Sequence, residues 1–396
     1  MPRNLATRLA AAALGATLLA SPALAQSGGS GDLVPCGEMP DGLQRSSMAY
    51  GGRRPCPPAS APRAYQPRHA GLAYDVLALE NEACFVPDAA YQEMDAVIDA
   101  TLAKLPAATG VAVTDEARLT QLGQAFAAVM AERGYRLLVP TVNLGDALLE
   151  RRPAGGEPQH IIDCDTGAMM LITIARILGI DASLVEMVTQ GGDDHNYVHY
   201  RMAAGRTFNW DVNGVTACAT PEGAKPWEAV PLTDRQVAGY VVGLRGWNWQ
   251  RFGQWDKALA DWREAADLWP ERPRQANWYA WAVAADRGPW RAAHKADALV
   301  MAERAVAIFS DSDTLDTLAC ARAFAGDFPG AADAERRALE DLPERDGRRG
   351  ELESRARRFA HRQDCTGLRA PEPFPEFDSA KPPVRAEPMS GGPTQG

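Results

Sequence analysis

A helix with almost no polar face constrains this chain more than any other feature of its sequence. In the stretch IIDCDTGAMMLITIARILGI, only Thr173 and Arg176 are polar between Ala168 and Leu178. A helix that is apolar all round must be surrounded by protein. The sequence therefore predicts a domain core built around it. Cys164, which stands between two aspartates, lies at the first turn of this helix and not in its apolar interior.

The residues around the cysteine predict how this helix begins and ends. Asp163 is placed to be the N-cap, where its carboxylate would accept backbone N–H groups. A helix N-terminus favours negative charge and would therefore favour the thiolate of Cys164. Asp165 works against the thiolate unless its carboxylate points away. Gly179 is expected to end the helix in the left-handed conformation.

The hydrophobic period changes after this helix and predicts an α+β fold. Residues 91–102 and 115–133 have helical spacing, whereas SLVEMV, NYVHYRM and RTFNWDV read as strands. Helices followed by an antiparallel hairpin or meander are typical of α+β domains.

The hairpin loop AAG brings a histidine and an aspartate together. With this loop, paired residue numbers sum to 408, and Asp211 lies opposite Tyr197 and diagonal to His195. Centring the pairing on Ala203 instead places His195 directly opposite Asp211. Either register puts the two side chains on one face, about 5–8 Å apart at Cβ. A two-residue loop would separate them.

Cysteine, histidine and acid in this order form a nucleophile, its base and the group that orients the base. Two other interpretations remain open. Cys164 is also explained as an ordinary buried cysteine, and Asp193 and Asp194 read as loop residues. His195 and His199 would share a metal ion on a helix, but on a strand they lie about 13 Å apart. No metal and no cofactor is expected.

The motifs DCDTGAMMLITIARILGI, HNYVHYRM and NWDVNG resemble the transglutaminase-like domain, which has a papain-like fold. The resemblance covers residues 159–214. It implies that Cys164 is the nucleophile, His195 the base and Asp211 the orienting acid of a Cys-His-Asp triad. That family contains crosslinkers, peptidases, amidases and inactive members, so the resemblance does not fix the reaction.

The chain departs from transglutaminases proper at the oxyanion position. Those enzymes use a tryptophan upstream of the cysteine, and here the first tryptophan is Trp210. Gln159, His160 or the backbone N–H of Cys164 would have to stabilise the oxyanion. This departure favours acyl hydrolysis over crosslinking.

An internal repeat follows the strands. The stretches GQWDKALADWREAADLWP and GDFPGAADAERRALEDLP share small residues and proline at the same offsets, and this pattern resembles the tetratricopeptide repeat. The matching positions are Gly253, Ala258, Trp262, Ala265 and Pro270 in one copy and Gly326, Ala331, Glu335, Ala338 and Pro343 in the other. A middle copy fits with about four extra residues around Gly288 and Pro289. Such repeats are expected to bind a protein or peptide.

The amino-acid composition of the remaining segments predicts how the chain is organised. Basic Arg3 and Arg8, an apolar core and the small residues before Gln26 are typical of a cleavable signal peptide, which predicts a periplasmic or secreted protein. The predicted organisation is a signal peptide (1–25), a disordered leader (26–70), a transglutaminase-like domain (71–236), tetratricopeptide-repeat helices (237–345), a C-terminal helix (346–370) and a disordered tail (371–396).

Charge and cysteine count limit the partners. Cleavage near Ala25 leaves 39 basic and 51 acidic residues, a net charge of −12, which argues against nucleic acid and anionic membrane surfaces. No stretch is long enough to span a bilayer. The seven cysteines allow Cys164 to stay free while six pair, with Cys36–Cys56 favoured by proximity. Two functions remain: an exported cysteine acyl hydrolase or transferase acting at amide bonds, or a non-catalytic adaptor with a vestigial triad.

Overall fold

The computed structural model describes most of the chain between two long terminal segments. The described residues are 33, 35–36, 64–83, 86–106, 115–137, 143–150, 159–188, 194–220, 224–225, 227–251 and 253–368. The predicted signal peptide, most of the predicted leader and the predicted tail lie outside them. The fold divides into two compact units, the first ending at Val237 and the second beginning at Ala238.

The first unit combines five helices with two small sheets among its described residues. The elements are α1 (Leu72–Ala83), α2 (Asp88–Lys104), α3 (Glu116–Glu132), β1 (Tyr135–Leu137), α4 (Leu144–Ala147), β2 (His160–Ile162), α5 (Cys164–Ile177), β3 (Asp181–Val188), β4 (Asp194–Arg201), β5 (Thr207–Asp211) and β6 (Thr216–Cys218). Strands β3 to β6 form an antiparallel meander in chain order, and β1 pairs with β2 in parallel. This unit is of mixed α and β structure, as the sequence predicts; the parallel pair was not expected.

Helix α5 is buried, as its composition predicts, and packs against β3 and β4. The two polar residues between Ala168 and Leu178 both have partners. Thr173 Oγ1 donates to the Met169 carbonyl at 2.9 Å and accepts the Ala73 N–H at 2.8 Å, while Arg176 Nε donates to the Ala182 carbonyl at 3.0 Å. Partners of this kind let a polar side chain sit in a packed interior without an unmade hydrogen bond.

Two parts of the predicted leader make defined contacts. The Cys36 N–H donates to the Ala219 carbonyl at 2.8 Å, and the Arg68 N–H donates to Asp95 Oδ2 at 2.9 Å. The ordered chain therefore starts earlier than Gly71, where the hydrophobic period begins. Isolated polar contacts and a disulfide hold these residues, and neither leaves a periodic pattern in a sequence.

The second unit is a stack of helices with a repeat-like arrangement. Its elements are the greater part of α6 (Asp234–Arg251), α7 (Trp255–Leu268), α8 (Arg274–Ala285), a 3₁₀ turn (Pro289–His294), α9 (Lys295–Ile308), α10 (Ser312–Ala325), α11 (Phe328–Asp341) and α12 (Arg349–Ala360). From α7 onwards each helix packs against the next, and α8 also packs against α10. The 3₁₀ turn occupies the place of the extra residues in the predicted middle copy.

The repeat positions have matching structural roles. Gly253 and Gly326, which precede α7 and α11, both have positive φ, at 69° and 96°, a conformation that glycine adopts without strain. A Cβ on Gly246 would lie 2.5 Å from Trp262 Nε1, so the glycine lets the indole approach the neighbouring helix. This unit is therefore a helical, TPR-like part of the molecule. Among the described residues, no helix is long and apolar enough to cross a membrane.

Candidate active site

Cys164 is the first residue of α5, and its two aspartate neighbours serve the start of that helix. Asp163 is the N-cap: its Oδ1 accepts the Thr166 N–H at 3.2 Å, and the Asp163 N–H donates to Thr166 Oγ1 at 3.0 Å. Asp165 Oδ1 accepts the same Thr166 N–H at 2.7 Å. The predicted cap is present, in the form of a capping box. Cys164 is a half-buried free thiol.

His195 and Asp211 lie in contact on one face of the meander. The pairing of β4 with β5 follows the register that sums to 408, for example Val198 opposite Trp210. His195 Nε2 is 2.9 Å from Asp211 Oδ2, and the two residues are 5% and 3% exposed. The hairpin spacing therefore predicts this contact correctly.

The surroundings of Asp211 fix the orientation of the imidazole. Asp211 Oδ1 accepts the N–H groups of Asn213 at 2.8 Å and Gly214 at 3.2 Å, and donors of this kind stabilise an ionised carboxylate. A carboxylate can only accept, so Nε2 of His195 carries the shared proton. In the neutral ring Nδ1 is then the nitrogen with a free lone pair, and it is the atom that can act as a base.

The thiol of Cys164 makes its hydrogen bond not to this pair but to Asn196, the residue that follows His195 in sequence. Cys164 Sγ is 3.7 Å from Oδ1 of Asn196, which follows His195 on β4. Within the described part of the chain, the thiol has no hydrogen bond to His195. The structure thus brings His195 and Asp211 of the predicted triad into contact. The third member, Cys164, contacts the residue next to His195 instead of His195 itself. Their catalytic roles stay a prediction.

The charges around the thiol favour its protonated form. Burial raises the pKa of Cys164 well above its ordinary value, and the carboxylates of Asp165, Asp163 and Asp211 raise the pKa further. The backbone N–H of Asn196 acts in the opposite direction. The expectation that the helix start activates the thiol meets a physical obstacle here, because the residues that cap the helix are themselves negative. The surroundings of the sulfur therefore favour the thiol over the thiolate.

The two tentative oxyanion residues lie directly before the helix. Gln159 is half-buried and precedes β2. His160 is the first residue of β2; its ring stacks on Tyr135 with centroids 4.4 Å apart, and its Nε2 is 3.8 Å from Glu93 Oε1. Burial lowers the pKa of His160. These contacts give His160 a structural role, and the oxyanion role of either residue stays a prediction.

The disulfides differ from the predicted pairing. Cys36 pairs with Cys218, so the predicted Cys36–Cys56 bridge is wrong, and Cys320 pairs with Cys365. Proximity in sequence is a poor guide here, because 182 residues separate Cys36 from Cys218 and only the fold brings β6 beside the N-terminal segment. Cys56 and Cys84 lie outside the described residues.

The alternative of a metal centre receives no support from the geometry. In the ranges that the structure describes, no group of three or more histidine, cysteine and acidic side chains is arranged to hold a metal ion. His199 is on a strand, not a helix, and its Nδ1 lies 2.8 Å from Asn209 Oδ1.

Sequence reasoning missed Asn196, the residue that contacts the thiol. The sequence contains a signal for it. In NYVHY, Asn196 lies on the same face of the strand as Val198 and Tyr200, so a polar residue stands where apolar ones face the core. Such an amide requires a partner in the interior, and the nearby cysteine provides one.

Comparison with known proteins yields a similarity to helical repeats. No protein-family model matches this chain, and no curated protein matches it. Two solved structures resemble part of it: the NMR structure of the first TPR domain of the human RPAP3 protein, and the first TPR of Spaghetti (RPAP3) bound to the HSP90 peptide SRMEEVD. Both are 20% identical and cover 32% of this chain; 93% and 95% of the two domains are covered, with TM-scores of 0.28 and 0.27. The likeness concerns the helical fold, and the repeat-like arrangement itself rests on the helix contacts described above.

Proposed function

We propose that this protein is a cysteine-dependent acyl hydrolase or transferase that acts at amide or peptide bonds. The observation that carries the proposal is the buried pair of His195 and Asp211, together with the free thiol of Cys164, which starts a buried helix and contacts Asn196, the residue after His195. The order and type of these residues resemble the transglutaminase-like domain. Two backbone N–H groups hold the carboxylate of Asp211, which can therefore hold the imidazole of His195 in one orientation, as the acid of a triad must.

In the proposed reaction His195 first accepts a proton and later returns it, and Cys164 first forms and later breaks a bond to the acyl group. Nδ1 of His195 takes the thiol proton while Sγ attacks the amide carbon, and a carbon–sulfur bond forms. The carbon–nitrogen bond then breaks, and the imidazolium returns the proton to the leaving amine. Water, or an amine acceptor in a transferase, attacks the resulting thioester and releases Cys164. The oxyanion would be held by the Cys164 N–H, with Gln159 or His160 as candidate side chains.

A protonated resting thiol fits this sequence of steps. The neighbouring carboxylates disfavour a preformed thiolate, so proton transfer to His195 has to accompany the attack. The rate should then follow the ionisation of the imidazole in the complex with substrate and not that of the free thiol.

The helical unit is proposed to bind a protein or peptide segment that brings substrate to the first unit. A stack of helical hairpins presents an extended concave surface for such a partner. We also propose that the protein is exported. Two disulfides among the described residues fit an oxidising compartment, and the signal-like sequence of residues 1–25 gives the route.

A non-catalytic adaptor is the second candidate, and two observations favour it. The thiol contacts Asn196 rather than His195, and its pKa is raised. In that case the repeats alone would carry the function.

One experiment separates the two candidates. Hydrolysis of a mixed peptide-amide library by the full chain is compared with that of Cys164→Ala, His195→Ala and Asp211→Asn, together with labelling by an electrophilic amide-like probe. An enzyme shows cleavage that Cys164→Ala abolishes and labelling that is lost on heat unfolding. Labelling that is equal in folded and unfolded protein, with no cleavage, supports the adaptor.

A further inference from the structure

Asn196 is a buried polar residue of strand β4. Successive side chains of β4 alternate between the two faces of the sheet, so His195 and Tyr197 share one face while Asn196, Val198 and Tyr200 share the other. Asn196 is 1% exposed. A buried amide has to be satisfied by hydrogen bonds.

The neighbouring strand fixes which way this amide points. Asn196 Nδ2 lies 3.4 Å from the Val185 carbonyl oxygen on β3. A carbonyl oxygen only accepts, so the NH₂ group must face it, and Oδ1 must face the other way. Oδ1 lies 3.7 Å from Cys164 Sγ. Because Oδ1 also only accepts, the proton of this contact belongs to the sulfur.

We propose, building on the function proposed above, that Asn196 is the positioning residue of the site: its Oδ1 holds the protonated thiol of Cys164 on the Asn196 side of β4, apart from the base His195. The proton can pass from sulfur to Nδ1 of His195 only when the S–H leaves Oδ1. A substrate carbonyl that enters next to the sulfur would make this exchange part of binding. The thiol is thereby kept from reacting with other electrophiles in the resting protein.

The three carboxylates that act on the thiol among the described residues work in the same direction as this amide. Asp163 and Asp165 face it from the start of α5, and Asp211 faces it from β5 with His195 as its partner. The Asn196 backbone N–H favours the thiolate, and it is retained when the side chain is changed. A substitution of the side chain therefore removes the Oδ1 contact and the Nδ2 contact to Val185 but leaves the backbone contact in place.

The test measures alkylation of Cys164 by iodoacetamide across a pH series in the full-length protein. Without the acceptor, the neutral thiol loses one hydrogen bond, so in Asn196→Ala the midpoint of the alkylation profile should move down by about 0.4 to 1 pH unit. Asn196→Ser is too short to join Val185 to the sulfur and should shift the midpoint in the same direction. It replaces Asn196→Ala if that variant fails to fold. Val198→Ala, a buried truncation on the same face, is the matched control and should leave the midpoint unchanged.

Two further outcomes separate this proposal from the function on which it rests. If the midpoint falls in the Asn196 variants but no variant or wild-type protein cleaves any amide, the positioning contact stands and the hydrolase fails. If cleavage depends on Cys164 while Asn196→Ala changes neither the midpoint nor KM, the contact has no such role and this inference is wrong. For an active enzyme, Asn196→Ala should lower KM, because the entering substrate no longer has to displace the S–H from Oδ1.

Discussion

Two helices of this protein begin with nearly the same four residues, DCDT at 163–166 and DSDT at 311–314, and the two segments fold alike. In both, the first aspartate caps the helix through a capping box with the threonine. The N-cap oxygen accepts the threonine N–H at 3.2 Å in one and 3.0 Å in the other. The position between the aspartates is Cys164 in the first helix and Ser312 in the second.

The surroundings of the two segments differ. The Ser312 N–H donates to Asp341 Oδ2 at 2.8 Å, and Asp313 pairs with Arg348. Cys164 instead meets Asn196 on β4. The second segment shows that the same capping box forms where no cysteine is present. The helix start alone therefore does not indicate chemistry at Cys164, and what distinguishes the first segment is its contact with β4.

Moving the thiol from one helix start to the other gives the largest expected effect. In the double variant Cys164→Ala, Ser312→Cys, turnover of an amide substrate should fall to background, because the transferred thiol has the same capping box but none of the strand residues of the first site. Adding His195→Ala should leave alkylation of the transferred thiol unchanged, whereas in the native chain His195→Ala should alter alkylation of Cys164. Turnover retained by the double variant would show that the strands are dispensable.

Asp211→Asn should have the next largest effect. The asparagine oxygen can keep the backbone N–H bonds, but its NH₂ group must then face His195 Nε2, which forces the ring proton onto Nδ1 and removes the base. Turnover should fall by about 10² to 10⁴-fold with little loss of stability. Steady-state kinetics and thermal melts measure the two quantities.

Two variants check the assignment of this acid. Asp194→Asn is the control for a nearby carboxylate and should keep most of the activity. Asp211→Asn added to His195→Ala should cost little more than His195→Ala alone, because members of a triad act as a unit. A large loss in Asp194→Asn together with none in Asp211→Asn would mean that the acid is misassigned.

A buried carboxyl group in the helical unit sharpens the contrast with Asp211. Glu335, at the repeat position that Trp262 occupies in the first copy, is 0% exposed, and the carboxyl group of Asp316 is close to it. Burial, followed by the charge of Asp316, raises the pKa of Glu335 from 4.5 to about 9. Asp211 has three hydrogen-bond donors around it, whereas Glu335 is buried near a second carboxyl group, which favours its protonated form.

This difference predicts a pH dependence of stability. A folded-state pKa above the unfolded value means that the folded protein holds more protons, so this part of the stability is complete below pH 4.5 and is lost as pH rises towards about 9. The slope is at most on the order of 1 kcal/mol per pH unit. Glu335→Gln, which stays neutral, should flatten it in chemical denaturation at several pH values. Glu340→Gln, on the exposed side of the same helix, is the control and should not.

The sequence predicts the elements of this fold better than the contacts between distant ones. The period of residues 91–102 and the loop AAG are local signals, and they lead to α2 and to the correct register of β4 with β5. The parallel pair of β1 with β2 was missed because three-residue strands are too short to show an alternation. The Cys36–Cys218 bridge was missed because its partners meet only after the meander has formed.

The candidate site follows the same rule. His195 and Asp211 are joined by one hairpin, so their contact could be predicted from spacing. The position of Cys164 depends on how α5 packs against β3 and β4. The spacing of residues along the sequence does not show which residue of β4 the cysteine will face. The sequence therefore leads to His195 as the partner of the thiol, whereas in the structure Asn196 receives its hydrogen bond.

The smallest expected effect concerns the two N-cap aspartates. It separates their contribution to helix stability from their effect on the thiol of Cys164. Asp163→Ala and Asp311→Ala each remove an N-cap acceptor, which should lower the free energy of unfolding by about 1 kcal/mol in either case. Only Asp163 also faces the thiol, where its charge helps to raise the pKa of Cys164. Alkylation of Cys164 should therefore shift to lower pH in Asp163→Ala and stay unchanged in Asp311→Ala, at matched loss of stability. Equal alkylation profiles in the two variants would mean that Asp163 acts on the helix alone, and that the resting state of the thiol is set by Asp165, Asp211 and Asn196.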